Sequence, residues 1–273
     1  MKTTTRCPAE LHSENADSAR VTQVDFAALL NQALTEPGAL SSAYRAFHSF
    51  SALNQSLAYL QCKRRGIEVS PLASFSAWKT KGRTVRKGEK AISLFMPLTK
   101  QQEVQAADGS LEESTRTFFA LKPHWFVLSQ TEGAESEWPA LPVWDLDRAL
   151  DSLQIAKVNF AHLNGNCQGY AQGTSIAVNP LAAYPAKTAC HEIAHVLLGH
   201  TAEVLMSDDD TTPRNLREVE AESVAYLVTS ILGLPGQESS RAYIQGWLGS
   251  DVVPDQSVRK VYSCADRILK AGR

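Results

Sequence analysis

"TACHEIAHVLLGH", residues 188–200, is the stretch that most narrows what this chain can fold into. Its apolar residues recur as on the buried face of a helix, yet the same run carries His191 and His195, with Glu192 between them. Residues i and i+4 of a helix lie on one face about 6 Å apart, so both imidazoles can aim a nitrogen at one ion. Two neutral nitrogen donors beside a carboxylate are what a zinc hydrolase needs. By chance, H-E-x-x-H arises roughly 0.01 times in a chain of this composition, so the motif is informative although short.

Such a site needs a third protein donor, and "REVEAESVAYLV" offers one. Glu218 and Glu222 share a helix face at i, i+4, whereas Glu220 points elsewhere. The spacing Glu218-x-x-Ala221-Glu222 resembles the E-x-x-A-D of gluzincin peptidases, in which the first acid binds metal and the second orients a ligand histidine. On that resemblance Glu218 is the ligand and Glu222 supports it, the reverse assignment being the alternative. A His-His-Glu set leaves a fourth position for water, and Glu192 would take the proton from it. His200 falls about 140° around the helix from His195, beyond a Gly199 that ends the helix, and is expected off the site. The long metzincin motif is excluded because Leu198 and Thr201 occupy its glycine and third-histidine positions. Tyr170, Tyr226 and His200 are equal candidates for steadying an oxyanion. "TSIAVN", residues 174–179, reads as a strand whose edge would hold an extended peptide.

Charge separates the chain into two parts. Residues 60–95 hold nine basic and two acidic residues, net +7, whereas residues 101–273 hold thirteen basic and twenty-two acidic, net −9. The basic part invites a polyanion. In "FSAWKTKGRTVRKGEKAISLF", Phe75, Trp78 and Phe95 interleave with Lys79, Lys81, Arg83, Arg86, Lys87 and Lys90. Cations neutralise phosphates and aromatic faces stack on unpaired bases, a combination suited to single strands. The competing reading is a solvated basic hairpin whose aromatics belong to the core.

The remaining pattern sets the organisation. A helix is expected in "VDFAALLNQAL", ending at Pro37-Gly38, and a second, long one over residues 43–66, closed by Gly66. "AISLFMPL" and "STRTFFALKPHWFVLSQ" read as strands, the latter a pair or one strand bent at Pro123, with Asp108-Gly109 as the turn. Pro185 suits the first turn of the helix that carries the histidines, and the long helix through Glu218 is expected to end at Gly233. Residues 134–142 form a linker between 21–133 and 143–273, and residues 1–20 a flexible tail. Five widely spaced cysteines without a C-x-x-C pair indicate reduced thiols, Cys190 among them as a packing residue. The first twenty residues hold no apolar block and no stretch approaches a bilayer span, so a cytoplasmic protein with no membrane partner is expected.

"FHSFSALNQSLAYLQ", "FSAWKTKGRTVRKGEKAI", "HWFVLSQTEG", "HEIAH", "EVEAESVAYLV" and "YIQGWL" occur in one order over about residues 44–248. In these stretches the chain resembles the ArdC-type antirestriction proteins of conjugative plasmids. The resemblance implies an α+β protein: an N-terminal α/β domain that binds single-stranded DNA, then a mostly helical zincin-like metallopeptidase domain with a short sheet. It implies His191, His195 and Glu218 as ligands of Zn2+, Glu192 as catalytic glutamate, and Trp78, Lys79, Lys81, Arg83, Arg86, Lys87 and Lys90 at the DNA surface. A host restriction-system protein would be substrate or partner. Two readings compete: a DNA-binding protector whose zinc site is structural or does not cleave, and a regulatory peptidase like the ImmA/IrrE group. The latter lacks a helix-turn-helix pattern here.

Overall fold

The computed structural model describes residues 24–105, 111–161, 167–201, 213–248 and 253–273. The expected tail 1–20 and the Asp108-Gly109 turn lie outside the described residues. Helix α1 (Phe26–Thr35) begins where the Asp25 carboxylate accepts the Ala28 N–H. The long helix expected over residues 43–66 is two, α2 (Ala39–Phe47) and α3 (Ala52–Arg64). Ser51 is the reason for the break. Its hydroxyl accepts the Asn54 N–H and caps a new helix, while its own backbone is extended. Gly66, at φ +63°, closes α3 as expected.

The N-terminal sheet has the order β1-β4-β3, with β1 (Leu72–Ser74), β3 (Ile92–Gln105) and β4 (Leu111–Val127) all antiparallel. β4 runs through Pro123 as one strand. Ile92 faces Trp125 and Ser93 faces Pro123, so His124 is the extra residue of a bulge next to the proline, which has no N–H for the ladder. The outer edge of β3 is held by side chains that imitate a strand. Asn54 exchanges two hydrogen bonds with the backbone of Phe95, both 2.9 Å, and Gln61 does the same with Ser93 at 2.8 and 2.9 Å. Seven residues apart on α3, the two amides share a face, which gives the "ALNQSLAYLQ" stretch its structural meaning. Between β1 and β3 lie α4 (Phe75–Thr80) and β2 (Arg83–Val85), the latter paired with β5 (Thr131–Gly133).

After an irregular stretch come α5 (Leu146–Leu153) and a second sheet of order β6-β8-β7, formed by β6 (Ala156–Lys157), β7 (Gly169–Gln172) and β8 (Ser175–Val178). "TSIAVN" is therefore the middle strand, not an edge. It runs parallel to β6 and antiparallel to β7, and among the described residues β7 is left with one neighbour. Among the described residues four helices follow: α6 (Pro185–Leu197), α7 (Arg214–Leu232), α8 (Gln237–Leu248) and α9 (Asp255–Ala271). Pro185 occupies the first turn of α6, where its missing N–H costs nothing.

The core crosses the expected linker. Phe26, Leu30, Leu34 and Tyr44 of α1 and α2 join Ile193, Val224, Leu227, Val261 and Ile268 of α6, α7 and α9 in one buried cluster. The buried Tyr226 hydroxyl donates to the Ala33 carbonyl at 2.8 Å across that boundary. A smaller cluster under α3, β3 and β4 is the only other core cluster among the described residues. Residues 134–142 are irregular, but the first two helices are built into the C-terminal half.

Candidate metal centre and the basic clasp

α6 buries Ala189, Cys190, Ile193 and Ala194 against α7 and the second sheet, which turns His191 and His195 toward α7. Their Nε2 atoms lie 3.1 Å apart. From α7, Glu218 Oε2 approaches them at 3.6 and 3.7 Å. Donors around a tetrahedral ion with bonds of about 2.0–2.1 Å stand about 3.3 Å apart, so this triangle has the size a small divalent cation requires. Among the described residues, these three form the group of His, Cys, Asp and Glu side chains that could hold a metal ion.

Each histidine is steadied from behind. His191 Nδ1 lies 2.9 Å from Glu222 Oε2, an ion-pair distance without ideal hydrogen-bond alignment, and Lys187 Nζ holds the other Glu222 oxygen at 2.6 Å. His195 is supported by a route the sequence did not reveal. Its Nδ1 meets His200 Nδ1 at 3.1 Å, and His200 Nε2 meets Glu220 Oε2 at 3.0 Å. If His195 Nε2 presents a lone pair to an ion, Nδ1 carries the proton and donates to His200 Nδ1. His200 must then be protonated at Nε2, which donates to the Glu220 carboxylate. Neither His200 nor Glu220 belongs to the triangle, yet together they orient His195. Gly199, at φ +76°, ends α6 and folds His200 back beside His195. No periodicity argument could find this, because the fold-back follows the end of the helix.

The electrostatics favour a positive charge at the triangle. Burial works against a proton on His191, but Glu218 and Glu222 outweigh it and push its pKa up to about 9. Hydrogen bonds from His191 and His195 hold Glu218 well below the usual carboxylate range. Burial opposes ionisation of Glu222, yet His191 and Lys187 bring it down to about 2. Glu220 is lowered as well, His200 and Ser257 overcoming its burial. Glu192 behaves oppositely: burial raises its pKa despite the nearby imidazoles. A buried carboxylate with a raised pKa suits a proton carrier. A Cβ added at Gly169 would come within 3.0 Å of Glu192 Oε1 and 2.6 Å of Thr188 Cγ2, so the β7 backbone passes directly over this part of α6.

Two of the three candidates for an oxyanion partner are otherwise engaged. Tyr226 is buried with its hydroxyl on Ala33, and His200 is held between His195 and Glu220. The hydroxyl of Tyr170 donates to the Asn159 carbonyl at 3.4 Å. Tyr243, which opens the "YIQGWL" stretch, is a further candidate that ligand spacing alone does not single out. α8 runs back along α7, as Gln237 reaching the Thr229 carbonyl and Arg241 reaching the Tyr226 hydroxyl show, which brings Tyr243 level with Glu222. Its phenol is 48% exposed, and burial, then Glu218 and Glu222, raise its pKa. Cys190 is a packing residue, its thiol pushed up to about 12 by burial.

The basic segment differs from its expectation. Trp78 has 0% exposure and its indole N–H donates to the Phe126 carbonyl at 2.7 Å, so it is a core residue that no base can reach. Arg83 donates to Thr131 Oγ1 at 2.7 Å, to the carbonyls of Thr131 and Gly133, and to that of Ala134. Arg86 binds Glu89 and the Ser129 carbonyl. Buried Gln130 completes the clasp: it accepts the Val127 N–H and donates to Glu89 and to the Lys90 carbonyl. The "SQTEG" stretch thus holds the "GRTVRKGEK" stretch in shape, and both arginines of the latter donate hydrogen bonds within the clasp. Lys79, Lys81, Lys87 and Lys90 remain exposed, Lys81 resting over the Trp78 ring.

Fold and site together define an α+β protein with a helix-borne His-His-Glu donor set behind a basic, sheet-containing N-terminal region. Residues 31–125 match the family model of the N-terminal domain of the anti-restriction factor ArdC. The metal-free crystal structure of the antirestriction protein ArdC from plasmid R388 covers 90% of this chain and 94% of that one, with a TM-score of 0.50 at 18% identity. The Mn(II)-bound structure of that protein gives a TM-score of 0.49 at 17% identity, covering 90% and 97%. An uncharacterized pXO2 protein of Bacillus anthracis is 25% identical over 249 residues, 72% of this chain, and the match spans 41% of that relative's length. Residues 31–125 thus form a domain like the N-terminal domain of ArdC, and nearly the whole chain shares the fold of that protein. Among the described residues, no helix is long and apolar enough to cross a membrane.

Proposed function

We propose that this chain binds single-stranded DNA through its N-terminal region and carries a zinc peptidase site in its second half, protecting incoming DNA from host restriction. The observation that supports the second part most strongly is the three-donor triangle whose two histidines are each oriented by a separate buried carboxylate. His191, His195 and Glu218 would hold Zn2+, a borderline ion suited to two imidazoles and a carboxylate. A cation held there polarises a carbonyl and acidifies water. Glu192, buried beside the triangle and raised in pKa, accepts a proton and returns it to a leaving amine. The open edge of β7 aligns an extended peptide past Glu192 by strand addition, in place of the middle strand β8. Tyr243, exposed and level with Glu222, is the residue best placed to donate a hydrogen bond to a developing oxyanion. The protein cut or gripped is a component of the host restriction system, and the chain works in the cytoplasm.

The deciding experiment compares wild type with Glu192→Ala in cells carrying an active restriction system. Wild type should deplete a host restriction protein and protect incoming DNA, and the variant should retain metal while losing depletion. Equal depletion and equal protection by both proteins would leave a metal-containing DNA protector that does not cleave.

A further inference from the structure

Trp78 is buried and Phe95 packs against Phe26, so of the three aromatic residues expected to stack on bases Phe75, 53% exposed, is the one left open to solvent. Further exposed rings occur farther along, on the β3–β4 ribbon. β1 pairs only with Trp125–Val127 of β4, and Asn54 and Gln61 hold β3 only as far out as Phe95. Beyond that point, among the described residues, two strands continue without a third. Pro97, Thr99 and Lys100 on β3 and Thr115–Phe119 on β4 are exposed. A two-stranded ribbon in water is marginally stable, and it gains nothing from Phe118 and Phe119 standing 43% and 68% exposed.

The pairing register gives these rings their neighbours. Lys100 lies directly opposite Arg116, and Leu98 directly opposite Phe118. Alternation puts Arg116, Phe118, Ala120 and Lys122 on one face of β4, with Phe119 on the other. Two cations facing each other across strands repel unless an anion joins them. On this face a ring is therefore flanked by a cation pair on one side and by Lys122 on the other, over about 20 Å of strand. Farther out, the register sets Glu103 opposite Glu113, so the cationic stretch gives way to an acidic sequence there.

We propose that the Lys100, Arg116, Phe118 and Lys122 face of the β3–β4 ribbon is a base-stacking arm for a single-stranded polynucleotide. Phe118 stacks on an unpaired base, Lys100 and Arg116 share a phosphate, and Lys122 takes another. Phe119 offers a second stacking surface on the reverse face. A duplex hides its base faces and gains only the phosphate contacts, so the arm discriminates against it. The inference rests on the proposed single-strand binding but assigns it to residues outside the basic clasp.

The test is titration of a labelled DNA oligonucleotide, the same sequence as RNA, and the DNA duplex, over a salt series, using full-length protein. Phe118→Ala should weaken single-strand binding roughly 5- to 100-fold with an unchanged salt slope. The double variant Lys100→Gln/Arg116→Gln should shallow the slope by about 0.7 for each phosphate no longer neutralised. Tighter binding of either single strand than of the duplex supports the proposal and names the strand. All four residues are exposed, and melting temperatures equal to wild type exclude misfolding. No binding of wild type to any oligonucleotide overturns the single-strand reading itself. Wild-type binding that both arm variants retain overturns the arm alone, and if those variants nevertheless lose protection in cells, the arm serves a protein.

Discussion

The His191, His195 and Glu218 triangle and the basic clasp are both clusters of ionisable side chains that the sequence marks, and they use their internal partners in opposite ways. At the triangle, Glu222 and His200 bind the rear nitrogens of His191 and His195, leaving both Nε2 atoms directed at one shared point with Glu218. At the clasp, Thr131, Gly133, Ala134, Ser129 and Glu89 bind the working ends of Arg83 and Arg86. Support from behind orients a group for a ligand, whereas support from the front turns the group into a structural tie. Charge in a sequence is therefore no measure of charge available to a partner.

Substitutions can break this contrast, and the largest effect belongs to the triangle. His191→Ala should weaken divalent-cation binding by more than the roughly 10- to 100-fold expected for loss of an outer partner, measured against a chromophoric chelator with Zn2+ and Mn2+. Near-wild-type affinity would dissolve the triangle. His200→Ala should cost that intermediate 10- to 100-fold in the same titration, because His195 loses its link to Glu220 and with it a fixed tautomer. Glu220→Gln, which keeps the shape but removes the charge, should fall between His200→Ala and wild type.

Smaller effects sharpen the clasp. Arg83→Ala should lower stability by about 1–2 kcal/mol, since several carbonyl and hydroxyl partners lose their donor. That corresponds to about 2–4 °C in melting temperature per kcal/mol for a chain of this size, with the salt dependence of polynucleotide binding unchanged. A slope change without a stability change would return Arg83 to the ligand surface. Lys87→Ala should do the reverse, leaving stability intact while weakening binding a few-fold and shallowing the slope by about 0.7.

The same division runs through what can be read in advance. Spacing puts His191 and His195 on one face, and Gly66, Pro185 and Gly233 stop or start helices where expected. Residues 43–66 read as one helix because a hydroxyl cap at Ser51 interrupts an otherwise unbroken apolar pattern. "TSIAVN" is recognisable as a strand but not as the middle one, since period-two alternation carries no information about neighbours. Trp78 resembles a stacking platform because the residues around it are basic, and only its hydrogen bond to Phe126, 48 residues on, puts it in the core.

The sequence by itself determined the helix that presents two imidazoles and the α+β composition, because backbone geometry ties local spacing to local direction. Tertiary structure decided which carboxylate meets the histidines, that His200 and Glu220 steady one of them, and which cations are left facing solvent. Those outcomes depend on pairs 20 to 48 positions apart, such as His200 with Glu220 and Arg83 with Thr131. Packing angles set such pairs, and periodicity along the chain does not carry them.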